Sequence, residues 1–170
     1  VKQIIWKAGE EATFEVGVSG LDSELIRLLG QLKFRYSYGE NVLKHSVEVA
    51  LLAGMLAAEA GANIQVAKVG GLLHDIGKAL THEISGPHAE IGAEIAQKYG
   101  INYSSYRGIL EHHSDDHETI ESFLVASADA DDEIERAAEL LPDTPRLLNS
   151  ALLTRDEAFA LGYQLTIQLG

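Results

Sequence analysis

Several side chains that commonly bind metal ions lie beside apolar segments of the sequence. His45 falls inside a strongly apolar helix predicted for 41–61, and the pair His74-Asp75 follows the apolar residues 66–73. An imidazole or a carboxylate next to a buried segment is costly unless it has a partner. Imidazoles and carboxylates that converge from separate helices bind borderline or hard divalent cations. The same set also contains His88, His112, His113 and Asp129. We therefore expect a site for one or two divalent metal ions.

Each of these residues also has an ordinary structural explanation when it is taken alone. A buried His45 can be a core histidine with a satisfied hydrogen bond. Asp129 can cap a helix or pair with Arg136, and the pair His112-His113 can be exposed beside the polar residues 114–116. It is the combination of all of them that favours a metal site.

The pair His74-Asp75 is the centre of the predicted chemistry. Adjacent residues lie about 100° apart around a helix, so both side chains reach one ion only near a helix end. Gly77 lies just beyond and gives the backbone freedom there. Lys78, one turn after His74, suits a phosphate oxygen. A metal ion bound beside a phosphate oxygen can lower the pKa of a bound water and balance the charge on the phosphate.

The elements that position these residues are predicted to be helices. We expect a short lead-in over 1–20 with some strand around 14–18, and then a helix capped by Asp22 or Ser23 and ending near Gly30. Further helices are expected over 41–61, 63–77, 87–100, 103–112 and 118–132, with a terminal strand over 161–169. The predicted fold is all-α, a single domain with a short β element at the termini.

Composition narrows the function classes. The net charge of −13 argues against nucleic-acid binding by the overall field, and Lys33, Arg35 and Lys44 form the local basic cluster before His45. The sequence has no cysteine, which excludes disulfides and thiolate sites. No secretory signal and no apolar run of roughly 18 residues is present, so we expect a cytoplasmic protein without a membrane segment in this chain.

Longer motifs around these residues resemble a known family. Residues 71–78 read GLLHDIGK, 9–18 read GEEATFEVGV, 38–50 read YGENVLKHSVEVA and 86–92 read GPHAEIG. Together with His45, His112-His113 and Asp129, these motifs resemble the HD-domain phosphohydrolase superfamily. They are most similar to the HD portion of the ribonuclease Y family, over about residues 8–130. Full-length members of that family also carry a membrane helix, a coiled coil and a KH domain.

The resemblance implies a helical HD bundle and a set of ligands. The first metal ion would be held by His45, His74, Asp75 and Asp129. A second ion would add His88 and His112 or His113, with Asp75 bridging the two ions. If they are not ligands themselves, His113 and His82 would lie next to the ligands. Lys78 would lie beside the cleaved phosphate. Mixed nitrogen and oxygen ligands favour manganese or iron over magnesium.

Three functions stay open from the sequence. The first is an HD-type phosphodiesterase that cleaves RNA, and the second is a small-nucleotide phosphohydrolase. The third is a metal-stabilised dimerisation or signalling module, suggested by the acidic residues 131–135, which depart from the family pattern. We expect a phosphorylated substrate, leave a homodimer open, and divide the chain into a lead-in and helix over 1–36, an HD core over 37–135 and a divergent segment over 136–170.

Overall fold

A computed structural model describes residues 1–37, 39–81 and 87–140, with backbone only for 133–140. The described part contains seven α-helices, namely α1 (Lys2–Val16), α2 (Ser23–Gln31), α3 (Val42–Ala60), α4 (Ile64–Leu73), α5 (His88–Lys98), α6 (Tyr103–Glu111) and α7 (Ile120–Leu140). It also contains two 3₁₀-helices, η1 (Leu32–Phe34) and η2 (Ile76–Ala79), and one hairpin of β1 (Tyr36–Ser37) and β2 (Glu40–Asn41). The prediction of an all-α fold is confirmed, with the described β element internal rather than terminal.

The chain divides into two compact units, 1–128 and 129–170. The first contains α1 to α6 and the beginning of α7. In the second, the described residues 129–140 continue α7 as a helix. The terminal strand predicted over 161–169 lies outside the described residues. No helix in the described part of the chain is long and apolar enough to span a bilayer.

Side-chain caps fix the starts of four helices. The cap residues and the backbone N–H groups that they accept are Asp22 with Glu24 (2.8 Å), Asn41 with Lys44 (3.1 Å), Asn63 with Val66 (3.1 Å) and Asn102 with Ser105 (2.9 Å). Each bond satisfies one of the N–H groups that a helix start leaves open. The first cap was predicted as Asp22 or Ser23, and residues 41, 61 and 63 were predicted as helix bounds; Gly61, which ends α3, is left-handed (φ 69°).

The lead-in with a strand around 14–18 is wrong, because α1 is a helix from Lys2 to Val16. Its buried face is formed by Ala8, Ala12 and Val16, which recur every four residues. Two of these three side chains are alanines, which are only weakly hydrophobic. The hydrophobic pattern of the sequence therefore indicates this helix poorly, although the buried residues follow the helical repeat clearly. Phe14, which suggested a strand, points to solvent and is 88% exposed.

The helix predicted to run to Gly77 ends earlier, since α4 stops at Leu73 and η2 begins at Ile76. Pro87 is the N-cap of α5 rather than its first residue, a shift of one position. The last described helix is longer than predicted, because α7 reaches Leu140.

The core of the first unit packs α3 against α4 and α1 against α2. Leu25, Leu29, Leu72, Leu73 and Ile76 are fully buried, and each contributes about 1.5–3 kcal/mol of burial free energy. A Cβ at Gly71 would lie 2.8 Å from the Cα of Ala50, so this glycine is what lets α4 approach the backbone of α3 closely. The close contact sets the depth at which the end of α4 meets α3.

Candidate metal centre

Two helices end at a histidine in the same way. His74 is the C-cap of α4, and His112 is the C-cap of α6. Nδ1 of His74 lies 2.7 Å from the carbonyl oxygen of Gly71, and Nδ1 of His112 lies 2.7 Å from that of Ile109. A carbonyl oxygen only accepts, so each Nδ1 carries the proton and donates it. In the neutral ring, Nε2 is then the unprotonated nitrogen, which is the form that binds metals.

Packing of α4 on α6 brings the two histidines together. A Cβ at Gly108 would lie 3.7 Å from the Cα of Gly70, and a Cβ at Gly70 would lie 3.5 Å from the carbonyl oxygen of Ser105. The ring centroids of His74 and His112 are consequently only 5.0 Å apart. The negative ends of the two helix dipoles therefore meet at one place, which favours a cation there.

His45 reaches the same place from α3. It lies one turn into that helix, and its Nε2 is 3.2 Å from Nε2 of His74. His45 and His74 are 7% and 1% exposed. The Nε2 lone pair of His74 thus faces another imidazole nitrogen in a site that excludes water.

Asp75 lies between two pairs of histidines. Its Oδ2 is 3.5 Å from Nε2 of His74, on the side of the His45 pair. Its Oδ1 is 3.2 Å from Nε2 of His88 and 3.9 Å from Nε2 of His112. Although Oδ1 is buried, no donor in the described residues meets it in hydrogen-bonding geometry. The two oxygens of one carboxylate therefore face two different imidazole pairs.

The charge state of Asp75 follows from the same neighbours. Burial by itself raises the pKa of this carboxyl group. The electrostatic effect of the neighbouring His74, the contact with His88 and the ammonium of Lys78 outweigh burial and hold the pKa well below its usual range. Asp75 is therefore ionised at neutral pH and supplies negative charge to the site.

The approach of α5 to η2 brings His88 to Asp75. A Cβ at Gly77 would lie 1.9 Å from the carbonyl oxygen of His88 and 2.9 Å from the amide nitrogen of Gly92. Only a glycine allows this contact, so the value of Gly77 is close approach rather than the backbone freedom that the sequence suggested. Nε2 of His88 is in turn 3.2 Å from Nε2 of His112.

The remaining predicted residues are His113, Asp129 and His82. His113 is exposed, and its ring centroid is 4.0 Å from that of His112 and 5.2 Å from that of His88. The three can offer ligand atoms within 4.8 Å of one another. Asp129 is a buried residue of α7, 5% exposed. His82 lies outside the described residues.

Lys78 occupies the edge of the centre, with 25% of its side chain exposed. Its Nζ donates to Oδ2 of Asp75 over 2.7 Å. The bond is short because η2 places the two residues three apart on one tight turn. The ammonium group thus lies between the buried carboxylate and solvent, where a phosphate can meet it.

These residues fit a divalent cation. Each pair of imidazole nitrogens 3.2 Å apart is joined either by a proton, as an N–H···N hydrogen bond, or by a cation that replaces that proton. A cation would also satisfy the buried Oδ1 of Asp75, which has no hydrogen-bond partner among the described residues. Imidazole and carboxylate donors suit manganese, iron or zinc.

Sequence reasoning missed two supporting residues. Oε2 of Glu40 lies 4.0 Å from Nδ1 of His45, which the sequence signals only by their spacing across a helix start. Glu111 is 6% exposed and accepts bonds from the hydroxyl of Ser122 and the N–H of Glu118. The one sequence signal for Glu111 is Arg107 four residues earlier, with which it forms an ion pair.

The fold and the site together define an HD protein. The HD domain model matches residues 42–134, more than half of the chain. The chain therefore belongs to the HD domain family, as the motifs predicted.

Individual relatives narrow the likeness further. Ribonuclease Y of Thermoanaerobacter pseudethanolicus is 59% identical over 131 residues, which are 76% of this chain and 26% of that protein. Ribonuclease Y of Syntrophomonas wolfei is also 59% identical, over 76% of this chain and 25% of that protein. The chain thus spans about a quarter of the length of the curated relatives it matches. No solved structure is significantly similar to it.

Proposed function

We propose that this chain is a metal-dependent phosphodiesterase domain that hydrolyses RNA. The observation that carries the proposal is Asp75, a buried ionised carboxylate whose two oxygens face two separate imidazole pairs. A carboxylate in this position suits a bridge between two cations. Two-cation sites stabilise both the attacking and the leaving oxygen when a phosphate ester is cleaved.

The proposed ligands fall into two sets that share Asp75. The first ion is assigned to His45, His74, Asp75 and Asp129. The second is assigned to Asp75, His88 and His112, with His113 as a further donor. Asp129 is included because its carboxylate is buried in an apolar part of α7, where it needs a charged partner.

The chain's own groups position the reactants around those ions. A divalent ion bound here would lower the pKa of a coordinated water and balance charge on the phosphoryl oxygens. Lys78 keeps an ammonium group at the open edge and binds a phosphoryl oxygen. Asp75 orients the attacking water by accepting its hydrogen bond, and the buried His45 and His74 keep bulk water away.

RNA is proposed as the substrate because relatives at 59% identity over 76% of this chain are named for ribonuclease activity. The net charge of −13 favours a second candidate, a small-nucleotide phosphohydrolase, since a small substrate needs no extended basic surface.

The test compares substrates on the chain loaded with Mn²⁺. The substrates are a 5′-monophosphorylated single-stranded RNA, free nucleotides and bis(p-nitrophenyl) phosphate. We expect RNA and the small diester to be cleaved, chelation to stop cleavage and Mn²⁺ to restore it. Turnover of nucleotides without RNA cleavage would select the second candidate, and bound metal without any hydrolysis would leave the non-enzymatic module.

One variant and one control connect activity to the site. Asp75→Asn keeps the shape but removes the charge, so bound metal and hydrolysis are both expected to fall by at least about 100-fold. His117→Ala alters a histidine whose described contacts are with Ser122 and Phe123, outside the centre, and should keep both. Full hydrolysis by Asp75→Asn would reject the proposal.

A further inference from the structure

Two exposed aromatic side chains alternate with basic ones just before α3. Residues 33–36 read KFRY, with Phe34 55% exposed and Tyr36 73% exposed. Lys33 is also exposed. Arg35, which lies between Phe34 and Tyr36 in the sequence, is partly buried. We call residues 33–36 the aromatic strip. Large rings exposed in this way have an energetic cost in water that a bound partner removes.

The strip is held rigidly in place by the start of α3. The side chain of Asn41 donates to the carbonyl oxygens of Lys33 over 2.6 Å and of Arg35 over 3.4 Å. The N–H of Val42 donates to the carbonyl of Arg35 over 3.0 Å. Tyr36 itself pairs with Asn41 in the hairpin. A surface that is ordered before binding loses little conformational entropy when a ligand binds.

The strip contacts the segment that carries Lys78. Nη2 of Arg35 donates to the carbonyl oxygen of Ala79 over 3.3 Å, and Ala79 directly follows Lys78 in η2. Just beyond the strip, Glu40 pairs with Ser37 in the hairpin and lies 4.0 Å from His45. A strand of nucleic acid bound on the strip would therefore lie beside the residue assigned to the cleaved phosphate.

The local charge of the strip is opposite to that of the whole chain. Lys44 is offset by Glu40 at 3.8 Å and Glu48 at 3.2 Å, so its ammonium adds little. Lys33 makes no described ion pair, and Arg35 has five N–H donors of which Ala79 accepts one. These two cations, interleaved with two rings, match a polymer that alternates phosphates and flat bases.

We propose that the aromatic strip is a binding site for single-stranded nucleic acid, in which Phe34 and Tyr36 stack on two bases while Lys33 and Arg35 contact the phosphates. The proposal rests on the proposed function for the position of the scissile phosphate. Phe34 ends η1, but the backbone at Arg35 is extended (φ −109°, ψ 138°), so the Cα atoms of Phe34 and Tyr36 on either side of it are about 7 Å apart, enough to separate two unstacked bases. Stacking on a ring contributes about 1–3 kcal/mol per base and tolerates any sequence.

The test measures binding and catalysis separately on the double variant Phe34→Ala/Tyr36→Ala. Binding is followed by fluorescence anisotropy of labelled RNA and DNA single strands of about ten nucleotides on the Mn²⁺-loaded chain, read before cleavage begins. We expect the Kd to rise at least about tenfold for both strands, with hydrolysis of bis(p-nitrophenyl) phosphate unchanged. Lys33→Ala should reduce the slope of log K against log salt concentration by about 1, the value expected for the loss of one phosphate contact.

Phe14→Ala is the matched control, because Phe14 is 88% exposed on α1 and lies outside the strip. Equal Kd values for the double variant and this control would overturn the proposal, as would a wild-type chain that binds neither strand. A parallel loss of small-diester hydrolysis would also overturn it, since the rings would then support the site itself. A change in oligomeric state instead of in Kd, seen by sedimentation, would assign the strip to a protein interface.

Failure of the strip and failure of the proposed function are distinguishable. In one case the wild-type chain hydrolyses no diester, but the double variant binds oligonucleotides more weakly than the wild type. That result would support the strip and reject the phosphodiesterase. In the other case the wild-type chain hydrolyses the diester, but the double variant binds oligonucleotides as tightly as the wild type. That result would support the phosphodiesterase and reject the strip.

Discussion

The ends of α4 and α6 are alike up to their histidines and different beyond them. Both helices begin at an asparagine cap and end at a histidine whose Nδ1 donates to the carbonyl three residues earlier. After His74 the chain turns at once into η2, which supplies Asp75 and Lys78. After His112 it continues with the exposed His113 and an acidic loop.

This difference indicates that the two halves of the centre have different strengths. The half at α4 combines His45 and His74, which are 7% and 1% exposed. The half at α6 includes His88, whose side chain is 24% exposed, and the exposed His113. Water competes more easily for an ion at exposed ligands, so we expect the first ion to be held more tightly than the second.

The largest expected effect comes from removing one histidine from each half. His74→Ala should abolish binding of the first ion and, since the second ion shares Asp75, weaken the second as well. His112→Ala should remove the second ion and weaken the first less, because the first keeps the buried His45 and His74. Removal of a ligand should lower the metal affinity by more than the roughly 10–100-fold that is typical when only the hydrogen-bond partner of a ligand is removed. Metal content after dialysis measures the difference, and equal metal loss in both variants would contradict the unequal halves.

A smaller effect is expected from the glycines that bring each half together. In Gly77→Ala the new methyl group meets the carbonyl oxygen of His88 at 1.9 Å, and in Gly71→Ala it meets the Cα of Ala50 at 2.8 Å. Both contacts are with backbone, which cannot easily move aside, so each should lower the free energy of unfolding by about 1–3 kcal/mol.

The two glycine variants should differ in which ion is lost. Gly77→Ala displaces α5 and therefore His88, whereas Gly71→Ala separates α4 from α3 and therefore His74 from His45. Urea denaturation gives the stability and a metal titration gives the stoichiometry. Gly54→Ala is a control, because the atoms nearest to its methyl group belong to the side chain of Lys68 and not to the backbone. Two retained ions in Gly77→Ala would show that the approach of α5 does not build the second half.

How much of this was predictable depends on whether a signal is local. The cap at Asp22 and the helix bounds at 41, 61 and 63 depend on residues within one turn, and the sequence predicted them. The helix α1 was missed because small residues form its buried face. The position of Asp75 between two imidazole pairs and the close contact at Gly77 depend on how α4, α5 and α6 pack, and no spacing along the chain encodes those distances.

A further prediction concerns how each helix end is anchored. The end of α4 is held by packing on α3, whereas the end of α6 is held by Glu111, which accepts bonds from Ser122 and from the N–H of Glu118. Glu111→Gln keeps the shape but loses the charged acceptor beside Arg107. The free energy of unfolding should fall by about 1–3 kcal/mol, and the second ion should bind more weakly.

Glu118→Gln is the control for this variant. The side chain of Glu118 is 50% exposed and pairs with Arg107 at 2.8 Å. An exposed pair contributes less than about 1 kcal/mol, so this change should matter little. Thermal unfolding and a metal titration of both variants decide the matter. A loss in Glu118→Gln as large as in Glu111→Gln would mean that general surface charge, and not the buried acceptor, holds the end of α6.

The smallest effect is expected at the opposite ends of the same two helices. Asn63→Ala and Asn102→Ala each remove a side-chain cap and should each lower the free energy of unfolding by about 1 kcal/mol. Because His74 and His112 lie at the other ends, about ten residues away, the number of bound ions and their affinities should not change in either variant. Chemical denaturation of the metal-free chain measures the first quantity and a metal titration the second. A change in affinity at one cap alone would mean that its helix moves as a rigid rod, so that strain at its start reaches the histidine at its end.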